Sequence, residues 1–361
     1  MTDNPTVIID ILYKKCLYFN CKKIHAKGVV RLKKLGYVTN TDSNDISVID
    51  INTNVEIGRI PVGGSPRGGM AIENNGEFGF VSNCAGNTVS VIDIKNSKEV
   101  TKITVGLAPR GVVISPDNSL LFVSNSGSND VSIVDLTTKE EITKVPVGNN
   151  PRALSITPSG EYVNIPCWGE DALSVIKVNY DQPENSYETT RITLGEFRRP
   201  YHAFSDADNT HVYTANTHGH SVSIVNILDE VIEAEVKVGY GPRAVISDSK
   251  QPYLYVSCEA SNVVSVINKH TWKEEKQIDA GLTPRGLKLD EENGTIYVSN
   301  FSRTFPTTSS PIMNSLSVID LKEQKQIGTI KTGLGPCSIN IFDPVKLKVE
   351  SVVDTEVKAT N

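Results

Sequence analysis

The sequence predicts an all-β protein, a seven-bladed β-propeller. Its four-stranded antiparallel blades close into a ring through N- and C-terminal strands that share one blade. Three observations predict it. Three separate short motifs each occur seven times, the copies follow one another at a nearly constant spacing, and each unit holds four apolar, β-branched runs divided by turn residues. Repeats of roughly 40–45 residues with four strands apiece build propeller blades.

The first motif is Tyr37-Val38-Thr39-Asn40, which recurs from Phe80, Phe122, Tyr213, Tyr255 and Tyr297, with a degenerate copy, Asn164-Ile165-Pro166-Cys167. The starting positions differ by 43, 42, 42, 49, 42 and 42. The second is Ser47-Val48-Ile49-Asp50, with copies opening at Ser90, Ser132, Ser174, Ser223, Ser265 and Ser317. The third is Val-Gly-x-x-Pro-Arg, whose last position falls at Arg67, Arg110, Arg152, Tyr201, Arg243, Arg285 and Cys337.

One unit shows how the strands are read. Residues 109–115, PRGVVIS, are apolar and β-branched, and Pro116-Asp117-Asn118 turns the chain. LLFVSN (120–125) and VSIVD (131–135) follow across a Ser/Gly/Asn loop, and Thr137-Thr138-Lys139 leads into EITKVPVG (141–148). The repeat is entered at Tyr37, on a second strand, and left after Cys337–Ile341. The last segment is therefore expected to supply the innermost strand of the blade begun by Tyr37, a clasp that removes open sheet edges. A basic extension (1–36), one propeller domain (37–343) and a tail (344–361) are expected.

The motifs resemble those of the YVTN-repeat β-propellers, a group that includes surface-layer proteins, and the resemblance covers roughly residues 37–343. It implies the architecture and little about the reaction, because relatives in the wider group include sugar-lactone hydrolases, streptogramin-type lyases and d1-haem-binding propellers.

Composition narrows the function classes. The 361 residues are 39% hydrophobic, enough for a core, and no run approaches the ~18 apolar residues of a membrane span. The net charge of −6 divides into +6 over residues 1–36 and −12 over the rest. No broad basic surface speaks for nucleic acid. The N-terminus lacks the features of a signal peptide, so a cytoplasmic setting with reduced thiols is expected for the six cysteines, although related propellers are often exported. A monomer is expected.

Comparing the seven copies with one another locates candidate sites. Arg67, Arg110, Arg152, Arg243 and Arg285 open innermost strands on one face and should crowd the channel mouth, either as an anion site or as a brace on loop carbonyls and the motif Asn. The motif Asn side chains are expected to cap loops by bonding backbone. Departures from the repeat cluster around blades 4 to 6: Trp168, Glu170, Arg199, Tyr201, His202, His218, His220 and Glu259. Trp168 is either a stacking wall for a ring-shaped ligand or a plug in the irregular blade. Three histidines on one face, with Glu170 or Glu259, are candidate ligands for Zn²⁺ or Cu²⁺ or candidate general bases. Solvent-exposed loop histidines are the simpler reading. The Ser/Thr/Pro-rich insertion 301–313 is a candidate lid or a surface excursion.

Three functions follow. The first is a non-enzymatic propeller that binds an anionic ligand or a protein partner at the channel mouth. The second is a metal-assisted lyase or hydrolase acting through His202, His218, His220, Glu170 and Glu259. The third is binding of an acidic tetrapyrrole of the d1-haem type, with Arg for its carboxylates and His for its iron.

Overall fold

The computed structural model describes residues 33–301 and 314–344, and its strands form seven four-stranded antiparallel sheets. The expected lid, the basic extension before Lys33 and the tail beyond Pro344 lie outside the described residues. Blade 1 takes strands Leu35–Asn40, Asp45–Asp50 and Val55–Pro61, with Pro336–Phe342 as its innermost strand. The expected clasp is therefore present. Blades 2 to 7 run in order through 66–104, 109–146, 155–193, 200–237, 242–279 and 284–331.

Each blade buries its two middle strands and faces its neighbours with Val, Ile, Leu and aromatic side chains. The fourth strand alternates charged and apolar residues and stays half exposed, as in Lys98–Thr104. The clasp has its own ionic lock. Lys34 Nζ lies 2.9 Å from Asp290 Oδ1, 2.9 Å from Glu292 Oε2 and 3.4 Å from Asp343 Oδ2.

One hydrogen-bonded relay explains why all three motifs recur. The motif Asn donates through Nδ2 to the Ser that opens the second motif, as in Asn40 to Ser47 (2.8 Å), Asn83 to Ser90 (2.8 Å) and Asn125 to Ser132 (2.8 Å). That same Ser accepts the N–H of the Gly in the third motif, as in Gly106 to Ser132 (3.3 Å) and Gly333 to Ser47 (3.0 Å). A Cβ on Gly106 would come within 2.5 Å of the Asn125 amide nitrogen, so glycine is required there. The expected backbone caps are thus mainly side-chain bonds. Where the motif Asn is replaced, the buried Cys167 and Cys258 place Sγ 3.3 Å from Ser174 and Ser265 Oγ and keep the slot filled.

A second slot completes the loop face. Asn44, Asn87, Asn129, Asp171, His220, Asn262 and Asn314 all adopt positive φ, between 49° and 59°. Their side chains accept an N–H from the next loop, for example Asn87 Oδ1 from Ala108 (2.9 Å) and Asn262 Oδ1 from Thr283 (2.8 Å).

Blade 4 departs most. Its inner strand shrinks to Ser155–Ile156. In blades 2 and 3, Ser82 and Ser124 tie inner-strand carbonyls together, with Ser82 Oγ 2.6 Å from Arg110 O and Ser124 Oγ 2.6 Å from Arg152 O. Pro166 stands at that place and has no hydroxyl to offer. The freed segment pairs sideways with blade 5, where Ala153 N donates to Tyr201 O (3.1 Å) and Ala203 N to Ala153 O (3.0 Å).

Candidate functional site

The inner strands bring the Arg slot to one end of the channel. Arg67, Arg110, Arg152, Arg243 and Arg285 all line one cavity, which Tyr201, His202 and Cys337 line as well. The backbone beneath them is fixed tightly. Gly68 has φ +69°, and a Cβ there would overlap the Arg110 carbonyl oxygen, so adjacent inner strands meet with only glycine between them.

The five guanidiniums are not equivalent. Glu259 accepts from Arg243 Nε and from Arg285 Nη2 (2.9 Å) and Nε (3.2 Å). Burial would raise the Glu259 carboxyl, but the Arg285 and Arg243 charges outweigh it and hold it below its ordinary range. Arg285 also stacks on Phe301, 3.7 Å from the ring centroid. On the other side, Arg110 Nε donates to the Ser126 hydroxyl at 3.1 Å. Among the described residues, the Nε of Arg67 and of Arg152 are buried without a hydrogen-bond partner. The Arg152 guanidinium is pushed down to about 10, by burial first and then by Arg110, Arg243 and Arg67. The arginines therefore do not form a uniform brace on loop carbonyls or on the motif Asn.

Tyr201, in the Arg slot of blade 5, sits between two cations. The guanidinium carbons of Arg152 and Arg243 lie 5.5 and 4.6 Å from its ring centroid. Trp168 packs edge-on against Tyr201 at 5.9 Å and takes the Arg152 guanidinium at 5.0 Å. Arg199 is not among the residues that line the cavity, and it donates from Nη1 to the Trp168 carbonyl (2.9 Å), which helps to hold the tryptophan.

The three histidines do not form a metal site. His202 lines the channel, and burial pushes it down to about 4. Its Nδ1 faces the Val245 N–H at 3.5 Å, which leaves the proton on Nε2. His218 is exposed and packs on Trp168 at 5.2 Å. His220 fills the positive-φ slot of its blade, accepting the Gly241 N–H on Nδ1 (3.1 Å), and packs edge-to-face with Tyr240. Glu170 is paired with Arg191 at 2.8 Å on the outer strand, and Glu259 with the two arginines. No three His, Cys, Asp or Glu among the described residues are grouped to hold a metal ion. The Zn²⁺ or Cu²⁺ expectation is corrected accordingly. The slot pattern gave the signal for His220, because all six of its counterparts are Asn or Asp.

A family model described as the cytochrome D1 heme domain matches residues 30–337. The chain belongs to that family. The resemblance to the narrower YVTN group thus widens to a propeller family defined by a haem domain. No curated protein matches the chain. Among solved structures, it is similar to a protein of unknown function from Desulfotomaculum acetoxidans at 17% identity and TM-score 0.73, covering 86% of this chain and 99% of that one. It is similar to a putative 6-phosphogluconolactonase from Bacteroides fragilis at 14% and 0.71, covering 88% and 100%. It is also similar to the dihydro-heme d1 dehydrogenase NirN in complex with DHE at 14% and 0.63, covering 83% and 64%. At these identities the likeness speaks for the fold. No helix among the described residues is long and apolar enough to cross a membrane.

Proposed function

We propose that this protein is a non-enzymatic binding propeller that takes a multiply charged anion at its channel mouth. One observation carries the reading: among the described residues, five guanidiniums line one cavity, a single carboxylate pairs with any of them, and two of them bury an Nε with no partner. Leaving buried donors unpaired costs stability, and an anionic guest repays it. His202, neutral with its proton on Nε2, adds a donor on the same wall.

The test is thermal unfolding of the full chain with increasing citrate, with KCl held at equal ionic strength as the control. A specific site raises the midpoint with saturation, following the ratio of ligand to its dissociation constant. A midpoint no different from the KCl control sinks the reading.

A second reading rests on the family. The anion is then an acidic tetrapyrrole of the d1-haem type, whose carboxylates fit the guanidiniums of Arg67, Arg110 and Arg152. Its iron would supply redox chemistry. His202 presents N–H rather than a lone pair in its observed hydrogen bonding, so the exposed His218 on the loop face is the better candidate nitrogen. Adding haemin to the purified protein gives a sharpened, shifted Soret band in this reading, and Arg67→Gln weakens it. An unchanged spectrum removes the tetrapyrrole and leaves the anion site standing.

A further inference from the structure

The mouth is divided. Arg67, Arg110 and Arg152 come from the consecutive blades 2, 3 and 4, and among the described residues none of the three is paired with a carboxylate. Arg243 and Arg285, on blades 6 and 7, share Glu259 between them. Tyr201 of blade 5 and Cys337 of blade 1 stand in the Arg slot at the two boundaries between these halves. An anion therefore meets three uncompensated positive charges on one side and a nearly neutralised pair on the other.

Three guanidiniums around one place ask for a particular guest. A carboxylate has two oxygens in one plane and is answered fully by one arginine fork. A phosphate monoester carries close to two negative charges above pH ~6 and has three terminal oxygens, one for each fork. We propose that the Arg67, Arg110 and Arg152 arc is a seat for a phosphate monoester, with Glu259 excluding anions from the opposite half so that the organic part of the ester faces Tyr201 and blades 5 to 7. This inference rests on the anion-binding reading above and deepens it. Burial and the neighbouring arginines already disfavour the Arg152 charge, which is the state a dianion relieves.

Calorimetric titration of the full chain at pH 8 tests it, with phenyl phosphate and benzoate as probes that share a ring and differ in the anionic group. Phenyl phosphate is expected to bind at least tenfold more tightly than benzoate. Arg67→Gln, which breaks no side-chain hydrogen bond among the described residues, weakens phenyl phosphate at least tenfold. Arg243→Gln changes it less than threefold. Glu259→Gln tightens it several-fold, because a like charge leaves the mouth. Equal binding of the two probes, or an Arg243→Gln loss as large as that of Arg67→Gln, overturns the proposal while leaving an anion site in place. If neither probe nor citrate binds, the proposed function fails with it.

Discussion

Arg152→Gln should make the protein more stable while it damages the site. The Arg152 guanidinium is pushed down to about 10, well below the ordinary arginine range, by burial and the charges of Arg110, Arg243 and Arg67. A cation whose folded pKa is lowered opposes folding at every pH below that value, and the penalty is relieved only as pH rises through about 10 towards the ordinary arginine range. At pH 7 the shift corresponds to roughly 3 kcal/mol, which partial exposure of the side chain reduces to about 2 kcal/mol. Glutamine loses the stacking on Trp168 and Tyr201, worth about 1 kcal/mol together. The balance is a gain of about 1 kcal/mol, or roughly 2 °C in the unfolding midpoint. Circular dichroism melts in 20 and 500 mM KCl measure it. The wild type should gain more from salt than the variant, because screening relieves the same repulsion. A midpoint lowered by 2 °C or more, or identical salt responses, refutes the electrostatic reasoning.

Three further outcomes follow from the packing. Asn125→Ala removes bonds to Ser132 and to Asp130 (2.7 Å) and should cost about 2 kcal/mol in urea unfolding, whereas Asn125→Cys should cost less, since Cys167 and Cys258 already fill this slot. Gly68→Ala places a Cβ against the Arg110 carbonyl at a positive φ and should cost at least about 2 kcal/mol, with loss of anion-induced stabilisation because the inner strands must part. Lys34→Met removes the cation shared by the buried Asp290 and the partly buried Asp343 and should cost about 3 kcal/mol. Burial opposes the Lys34 charge, but Asp290 and Glu292 raise its pKa overall, so its contribution is full below 10.5 and fades only above that. Burial likewise opposes the Asp290 charge, which the Lys34 bond holds low, so the acid-side loss begins as pH falls below about 4. The expected signature is a stability difference between wild type and variant that shrinks as pH falls below about 4.

The architecture was legible because the repeat carries it redundantly. Blade number, strand order and the terminal clasp all follow from positions such as Ser47, Asn83 and Gly106, each needed by a bond that most blades make. The candidate site was legible only as a face. Sequence spacing placed Arg67, Arg110, Arg152, Arg243 and Arg285 at one mouth, but nothing in the spacing says that Glu259 takes two of them, because that contact joins blades 6 and 7 through side-chain reach. The histidines misled for the opposite reason. His202, His218 and His220 share a face, yet each has a separate local partner: Val245 N–H, the Trp168 ring and Gly241 N–H. Proximity in the loop pattern is not convergence of lone pairs, which needs three side chains aimed at one point.

Recurrence among the blades also separates two kinds of residue that look alike in a string of letters. The motif Asn recurs with the same partner each time, a Ser Oγ seven residues on in blades such as those of Asn40 and Asn216 (2.8 and 2.7 Å), so the fold accounts for it. The motif Arg recurs with no common partner: a serine hydroxyl for Arg110, one shared carboxylate for Arg243 and Arg285, an aromatic face for Arg152, and no side-chain hydrogen bond for Arg67 among the described residues. A brace required by blade geometry would repeat its contact along with its residue. These arginines repeat only their direction, into the channel, and two of them keep a buried donor open there at a cost to stability. Side chains that are aimed alike but satisfied differently are organised around the space they share, and that space, rather than the blade, is what the arginine slot serves.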